Sequence, residues 1–236
     1  VDLRPWGAPP VTERLGGGHR NEVYRAGDRV VRRSRRSAPS LEWELELLDH
    51  LSLNGFLVPE VVRTHDGRRH VHGIVVQEWL PGREPEEADW PSVAAELRRL
   101  HSLMATWPPR PDGPGTCDLL TTDRGGDVDL TSMPREAVAA CRAAWAALDG
   151  PKTVVHGDPC AANIRIQEDG TVGLLDWDDA RVDHPWLDLA DLPCLDPPRE
   201  ARAAVDAWEA ANAWFMEPTY ARGRLAGVPV DKPVDN

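Results

Sequence analysis

The dominant hydrophobic period of this 236-residue chain changes at "PGREPEEADWP", residues 81–91. Before that stretch, short apolar runs alternate with turn formers. "VTERL", "EVYRAG", "RVVRR", "VPEVVRT" and "HGIVVQEWL" read as strands, with "GGGHRN", "GD" and "HDGRR" as turns. One segment interrupts them: "SLEWELELLDHLSLNG" sets Leu41, Leu45, Leu48 and Leu51 near helical spacing and stops at Gly55. After residue 91 the helical period takes over. Val93, Leu97, Leu100 and Met104 share one face, as do Val138, Cys141, Trp145 and Leu148, and then Ala201, Val205, Trp208 and Phe215. The pattern predicts an α+β chain in two lobes. Residues 1–80 form a five-stranded antiparallel sheet with one helix, and residues 81–236 a mainly helical lobe. Residues 108–134 read as loop and the tail beyond Gly223 as loose.

Composition narrows the partners. Net charge is −12, which argues against nucleic acid. Residues 1–77 hold 12 arginines against 10 acidic residues, whereas the rest holds 15 basic against 29 acidic. That asymmetry reads as a solvated acidic surface, or as a first lobe that meets anions and a second that meets metal or a cationic substrate. No run of eighteen apolar residues offers a membrane span, and "VDLRPWGAPP" lacks the regions of a signal peptide. The four cysteines fall without metal or disulfide spacing, so a reducing cytoplasm is the simplest expected setting.

The chemistry concentrates in residues 154–178. "VVHGDPCAAN" starts as an apolar strand and ends on His156, Gly157, Asp158 and, five residues on, Asn163. "NIRIQEDGTVGLLD" then sets two apolar-rich runs around Asp169-Gly170, a strong hairpin signal. With those two residues alone as the turn, Asn163 lies directly opposite Asp176. An amide oxygen and a carboxylate on one spot suit Mg2+ held jointly with a phosphate, which leaves Asp158 to face a hydroxyl. Against this stands the commonplace that Asn and Asp at strand ends cap turns.

The ordered series H-G-D-x-x-x-x-N, hairpin, D-W-D resembles the aminoglycoside phosphotransferase and choline kinase group, small-molecule kinases with a protein-kinase-like fold. "HGDPCAAN" is similar to its catalytic loop, "LLDWDDARVDHPWLDLADLP" to its metal-binding segment and following helix, "LGGGHRNEVYRAGDRVVRR" to its glycine-rich hairpin and third strand, and "AAELRRLHSL" to a helix ahead of the catalytic loop. The resemblance spans about residues 12–195. It implies that Asp158 is the catalytic aspartate and that Asn163 and Asp176 are Mg2+ ligands. His156 would buttress the loop, Asp188 would be scaffold, and Asp178 would contact a second metal or a neighbouring backbone. Gly16, Gly17 and Gly18 would approach phosphate through their N–H groups. Arg32 stands where kinases place a phosphate-binding lysine, with Arg33 as the adjacent alternative. Glu44 is its expected ion-pair partner, with Glu42 and Glu46 as competitors. Gln77 and Trp79, in "QEWL", match the hinge that reads the purine.

Trp177 between the aspartates, His184 in place of a glycine, and a short segment after Asp191 depart from the group's pattern. They imply an acceptor pocket that is small, open or completed by another subunit, with Trp186, Trp208 and Trp214 available to line it. The expected activity is Mg2+-dependent transfer of the γ-phosphate of ATP or GTP to a hydroxyl of a small molecule. An aminoglycoside-like antibiotic or other natural product is the leading acceptor, which would make the chain a resistance enzyme. The rival is a kinase-like module that binds nucleotide or a partner without turnover. A protein kinase proper is disfavoured by the missing D-F-G and A-P-E segments.

Overall fold

The computed structural model describes residues 2–15 and 22–229. In chain order the elements begin with β1 (Glu13–Arg14), β2 (Glu22–Ala26), β3 (Arg29–Arg33), α1 (Ala38–Leu53), β4 (Val61–Val62), β5 (His70–Val71) and β6 (Ile74–Glu78). There follow α2 (Trp90–Leu103), β7 (Arg124–Gly125), β8 (Val128–Asp129), α3 (Arg135–Ala146) and β9 (Thr153–Val155). The chain then forms β10 (Ile164–Ile166), β11 (Val172–Leu174), β12 (Arg181–Asp183), α4 (Trp186–Leu189), α5 (Arg199–Ala213) and α6 (Pro218–Leu225). Two compact units result: Val1–Pro85 with Pro159–Asp178, and Glu86–Asp158 with Asp179–Asn236. The chain therefore crosses between units at Pro85, Asp158 and Asp178 rather than once at the linker.

The first unit is built on an antiparallel sheet of order β1-β2-β3-β6-β4, as the strand pattern predicts. The sequence reading missed β5. It is two residues long and shares the outer edge of β6 with β4: Val71 pairs Ile74, and Val62 pairs Val76. Side chains alternate along β3. Val31 joins Leu3, Trp6, Ala26, Ile74 and Val76 in one apolar cluster, while Arg32, on the other face, meets Glu44 of α1. Ser37 caps α1, its hydroxyl accepting from the Ser40 N–H at 3.4 Å.

The β10–β11 hairpin belongs to this unit because backbone bonds stitch it there. Leu174 N–H donates to the Leu57 carbonyl at 2.9 Å, and Arg83 and Ile166 exchange bonds of 3.1 and 2.8 Å. Its register corrects the sequence reading. The pairs are Ile164 with Leu174, Arg165 with Gly173 and Ile166 with Val172. Gly170 N–H donates to the Gln167 carbonyl and Gly170 adopts φ +85. This is a three-residue loop, a tight turn followed by a left-handed glycine, and not the two-residue turn expected. One extra loop residue shifts every pair by one. Asn163 accordingly lies level with Leu175, whose N–H donates to the Asn163 carbonyl at 2.8 Å, and not opposite Asp176.

The second unit is mainly helical around a core that includes Leu119, Cys141, Trp145, Ala204 and Trp208. β9 and β12 pair within it, Val155 opposite Arg181. The helices expected at 92–104, 135–148 and 199–216 are α2, α3 and α5. The segment 108–134 is mostly irregular but contains the β7–β8 hairpin. Of the tail beyond Gly223, read as loose, the described residues 224–229 are ordered: α6 runs to Leu225 and Val228 is buried, while 230–236 lie outside the described residues. Polar bonds hold α6, which is why hydrophobic period did not reveal it. Arg224 pairs with Asp191 at 2.6 Å and with Asp206 at 2.9 Å, and the Tyr220 hydroxyl donates to Glu209 at 3.0 Å. All four cysteines are free thiols, and burial pushes the Cys141 thiol up to about 12. Among the described residues no helix is long and apolar enough to cross a membrane.

Candidate active site

In the first unit the centre is Arg32. It is buried on β3 and its Nη2 bonds the buried Glu44 carboxylate, while Nη1 lies 3.5 Å from Asp178 Oδ1. Of the three glutamates weighed for this cation, α1 turns Glu44 inward; Glu42 and Glu46 instead lie beside Arg69, at 3.2 and 3.9 Å. Arg33 points outward and approaches Glu22 at 3.7 Å. Burial opposes the charge on Arg32, but Glu44, Asp178 and Asp176 outweigh it and hold the guanidinium protonated. The Nε of Arg32 is buried without a hydrogen-bond partner.

Asp178 is buried between two arginines. Beside Arg32, the Arg36 Nη2 donates to Asp178 Oδ2 at 2.8 Å and to its carbonyl at 3.2 Å. The sequence reading left Asp178 open between a metal and backbone contact and did not single out Arg36. Nothing in the run "RRSRRS" distinguishes Arg36; only the turn from β3 into α1 aims it. Asp176 is exposed, with a left-handed backbone at φ +52. Trp177, the departure noted between the aspartates, is fully buried and donates its indole N–H to the Leu174 carbonyl at 3.1 Å. Asn163 ends a 3-10 turn, Ala161–Asn163, and is half-buried.

The hinge-like stretch is occupied by sheet bonding. Gln77 is buried inside β6, paired with Val30 on one side and Val61 on the other. Glu78 N–H donates to the Glu60 carbonyl and Trp79 N–H to the Asp28 carbonyl, at 2.9 and 2.8 Å. Arg25 stacks on the Trp79 ring, 4.2 Å from its centre. Gly16, Gly17 and Gly18 lie outside the described residues.

In the second unit Asp158 is exposed at the end of a loop fixed from beneath. Asp188 of α4 is fully buried and does the fixing. Its Oδ2 accepts from His156 N–H and from His101 Nε2, and its Oδ1 from Gly157 N–H, all at 2.8 Å. Burial opposes that charge, but the His101 bond, the two imidazoles and the Gly157 N–H hold the carboxyl below the usual range. Gly157 has φ +91, and a Cβ there would sit 2.4 Å from the Asp179 carbonyl oxygen. His156 is buried and its Nδ1 accepts from Asp158 N–H at 3.3 Å, a buttress rather than an exposed base. Trp208 is buried under Arg181, which lies 3.3 Å over its ring, and Trp186 is half-buried against the same core. Trp214 donates to the Ser132 carbonyl at 3.1 Å.

No curated protein matches the chain. A model of the phosphotransferase enzyme family matches residues 11–226. The chain belongs to that family. This phosphotransferase is a small-molecule kinase with a protein-kinase-like fold, as the resemblance implies. Solved structures share the fold at low identity. A choline/ethanolamine kinase family protein from Mesorhizobium loti matches with TM-score 0.57 and 19% identity, over 92% of this chain and 86% of that one. An amicoumacin kinase solved with AMP-PNP and Ca2+ gives 0.61 and 19%, over 92% and 79%. An aminoglycoside phosphotransferase from Alicyclobacillus acidocaldarius gives 0.54 and 17%, over 96% and 90%.

Proposed function

We propose that this phosphotransferase moves the γ-phosphate of ATP or GTP to a hydroxyl of a small, amine-bearing natural product. The observation that carries the reading is the buried Arg32 between Glu44 and Asp178. A guanidinium kept charged by carboxylates on the third strand is suited to an anion, which is the use our reading gives it. A structure of similar fold supports the same reading: the amicoumacin kinase was solved in complex with AMP-PNP and Ca2+.

Asp158 accepts the proton of the acceptor hydroxyl as its oxygen attacks the γ-phosphorus. The bond from that phosphorus to the β–γ bridging oxygen breaks, and the nucleoside diphosphate leaves. Asn163 and Asp176 would hold a divalent cation, Mg2+ in our reading; an amide oxygen and an exposed carboxylate are the hard donors it prefers. That cation would neutralise phosphate charge during transfer. For the acceptor, our reading takes up Glu209 of α5, whose carboxylate accepts from the Tyr220 hydroxyl at 3.0 Å. Burial pushes its carboxyl up, the Tyr220 hydroxyl and Arg224 oppose the rise, and the charges of Asp158 and Asp179 add to it. A bound ammonium would relieve that field.

The test is transfer from labelled ATP and GTP to a panel of aminoglycosides, amino alcohols, nucleosides and macrolides. Wild type is expected to label an amine-bearing acceptor. Asp158→Asn should cut kcat by about 10²–10⁴ with nucleotide affinity unchanged. Mg2+-dependent nucleotide binding with no transfer to any acceptor would favour the non-catalytic module instead.

A further inference from the structure

Asp176 has the left-handed backbone that L-residues other than glycine rarely keep. Such a conformation persists only where its surroundings over-determine it. Contacts on either side help to pin this one. Ahead of it, Leu175 N–H is bonded to the Asn163 carbonyl. Next to it, the Trp177 indole is buried and bonded to Leu174. Beyond it, Arg36 grips Asp178 twice, at the carboxylate and at the backbone carbonyl. Arg36 is itself held at the turn between β3 and α1, its N–H donating to the Ser34 hydroxyl at 3.2 Å.

We propose that Arg36 is a positioning residue that locks Asp178 and thereby sets the carboxylate of Asp176. The inference rests on the reading of Asp176 as a metal ligand. Arg36 has a second consequence through charge. By neutralising Asp178 at 2.8 Å, it leaves Arg32 at the longer 3.5 Å from that carboxylate and bonded to Glu44. Without Arg36, more of the Asp178 charge falls to Arg32. Arg32 is then drawn toward Asp178, and residues 176–178 lose the anchor on their C-terminal side. Lysine could replace the charge, but its side chain is shorter and its ammonium is a mobile point charge without the planar, fixed Nη2 that meets both acceptors.

The experiment is calorimetric binding of AMP-PNP and GMP-PNP across a series of Mg2+ concentrations and in EDTA. It compares wild type, Arg36→Ala, Arg36→Gln, Arg36→Lys and Asp176→Ala. Arg36→Ala is expected to weaken Mg-nucleotide binding at least tenfold and to raise the Mg2+ midpoint. Binding in EDTA should stay within twofold, and Arg36→Lys should restore only part of the loss. Arg36→Gln serves as the reading if the alanine variant does not fold. A wild-type Mg2+ midpoint in the Arg36 variants, beside a damaged Asp176→Ala, overturns the role of Arg36 and leaves the metal reading standing. An equal loss with and without Mg2+ also overturns it, since that marks a direct phosphate contact or a general structural role. A wild-type response in Asp176→Ala overturns the metal reading and the inference with it.

Discussion

At the scale of single residues, Arg32 has a structural duty in its buried ion pairs and, in our reading, a second one toward phosphate. The resemblance implies a phosphate-binding side chain on the third strand, and on that reading alone Arg32→Ala would change nucleotide binding while melting temperature moved little. Its burial against Glu44 and Asp178 says otherwise. Arg32→Ala leaves two buried carboxylates short of their shared cation. Breaking a buried pair by removing one partner costs about 3–5 kcal/mol. We therefore expect a marked loss of stability in denaturant titration together with weaker nucleotide binding. Arg32→Lys should recover stability in part and phosphate contact less. A melting temperature unchanged by Arg32→Ala would contradict the buried-pair account.

At the scale of elements, one carboxylate ties together a helix, a strand end and another helix. Asp188 of α4 holds His101 of α2 and the two N–H groups that follow β9. Asp188→Asn keeps the shape but turns an amide NH2 toward donors, so we expect a loss of about 3–5 kcal/mol at neutral pH. The sign with pH follows from the depressed carboxyl of Asp188. Its stabilisation is complete above the unfolded value of about 3.9 and fades as pH falls through the lower folded value. The gap between wild type and Asp188→Asn should therefore stay constant from pH 7 to about 4 and narrow below it, as read by urea titration at each pH. The hairpin shows the opposite kind of dependence. Both strands were legible from "NIRIQ" and "TVGLL", but not whether the turn held two residues or three. That choice turns on Gly170 taking φ +85 as the last loop residue.

At the scale of the whole molecule, the two units meet the chain three times, and two of those crossings follow Asp158 and Asp178 directly. Residues 159–178 thus fold with the first unit although they follow the second in sequence. In our reading a Mg-nucleotide binds the folded chain and not the unfolded one. At a hundredfold excess over Kd it should add about 2.7 kcal/mol of stability. For a chain of this length that is a rise of roughly 5–10 °C in Tm. Scanning calorimetry with ATP or GTP should show the rise with Mg2+ and most of it lost in EDTA. A rise equal in EDTA would remove the metal from nucleotide binding.

The sequence alone determined the two-lobed α+β plan, the antiparallel sheet, the four long helices and the family. Those features rest on local period and on residue types at close spacing, which one segment can carry by itself. Through the resemblance it also offered Arg32 and Glu44 as a pair, with Arg33, Glu42 and Glu46 still open, and the fold chose among them. Tertiary structure decided the rest. The hairpin register depended on the backbone conformation of Gly170, and α6 on ion pairs from Arg224 to distant partners. The clamp of Arg36 on Asp178 joins residues 142 positions apart. No pattern within either segment encodes such a contact, since long-range charge pairing leaves no period behind, and only the folded backbone brings the two groups within hydrogen-bond distance.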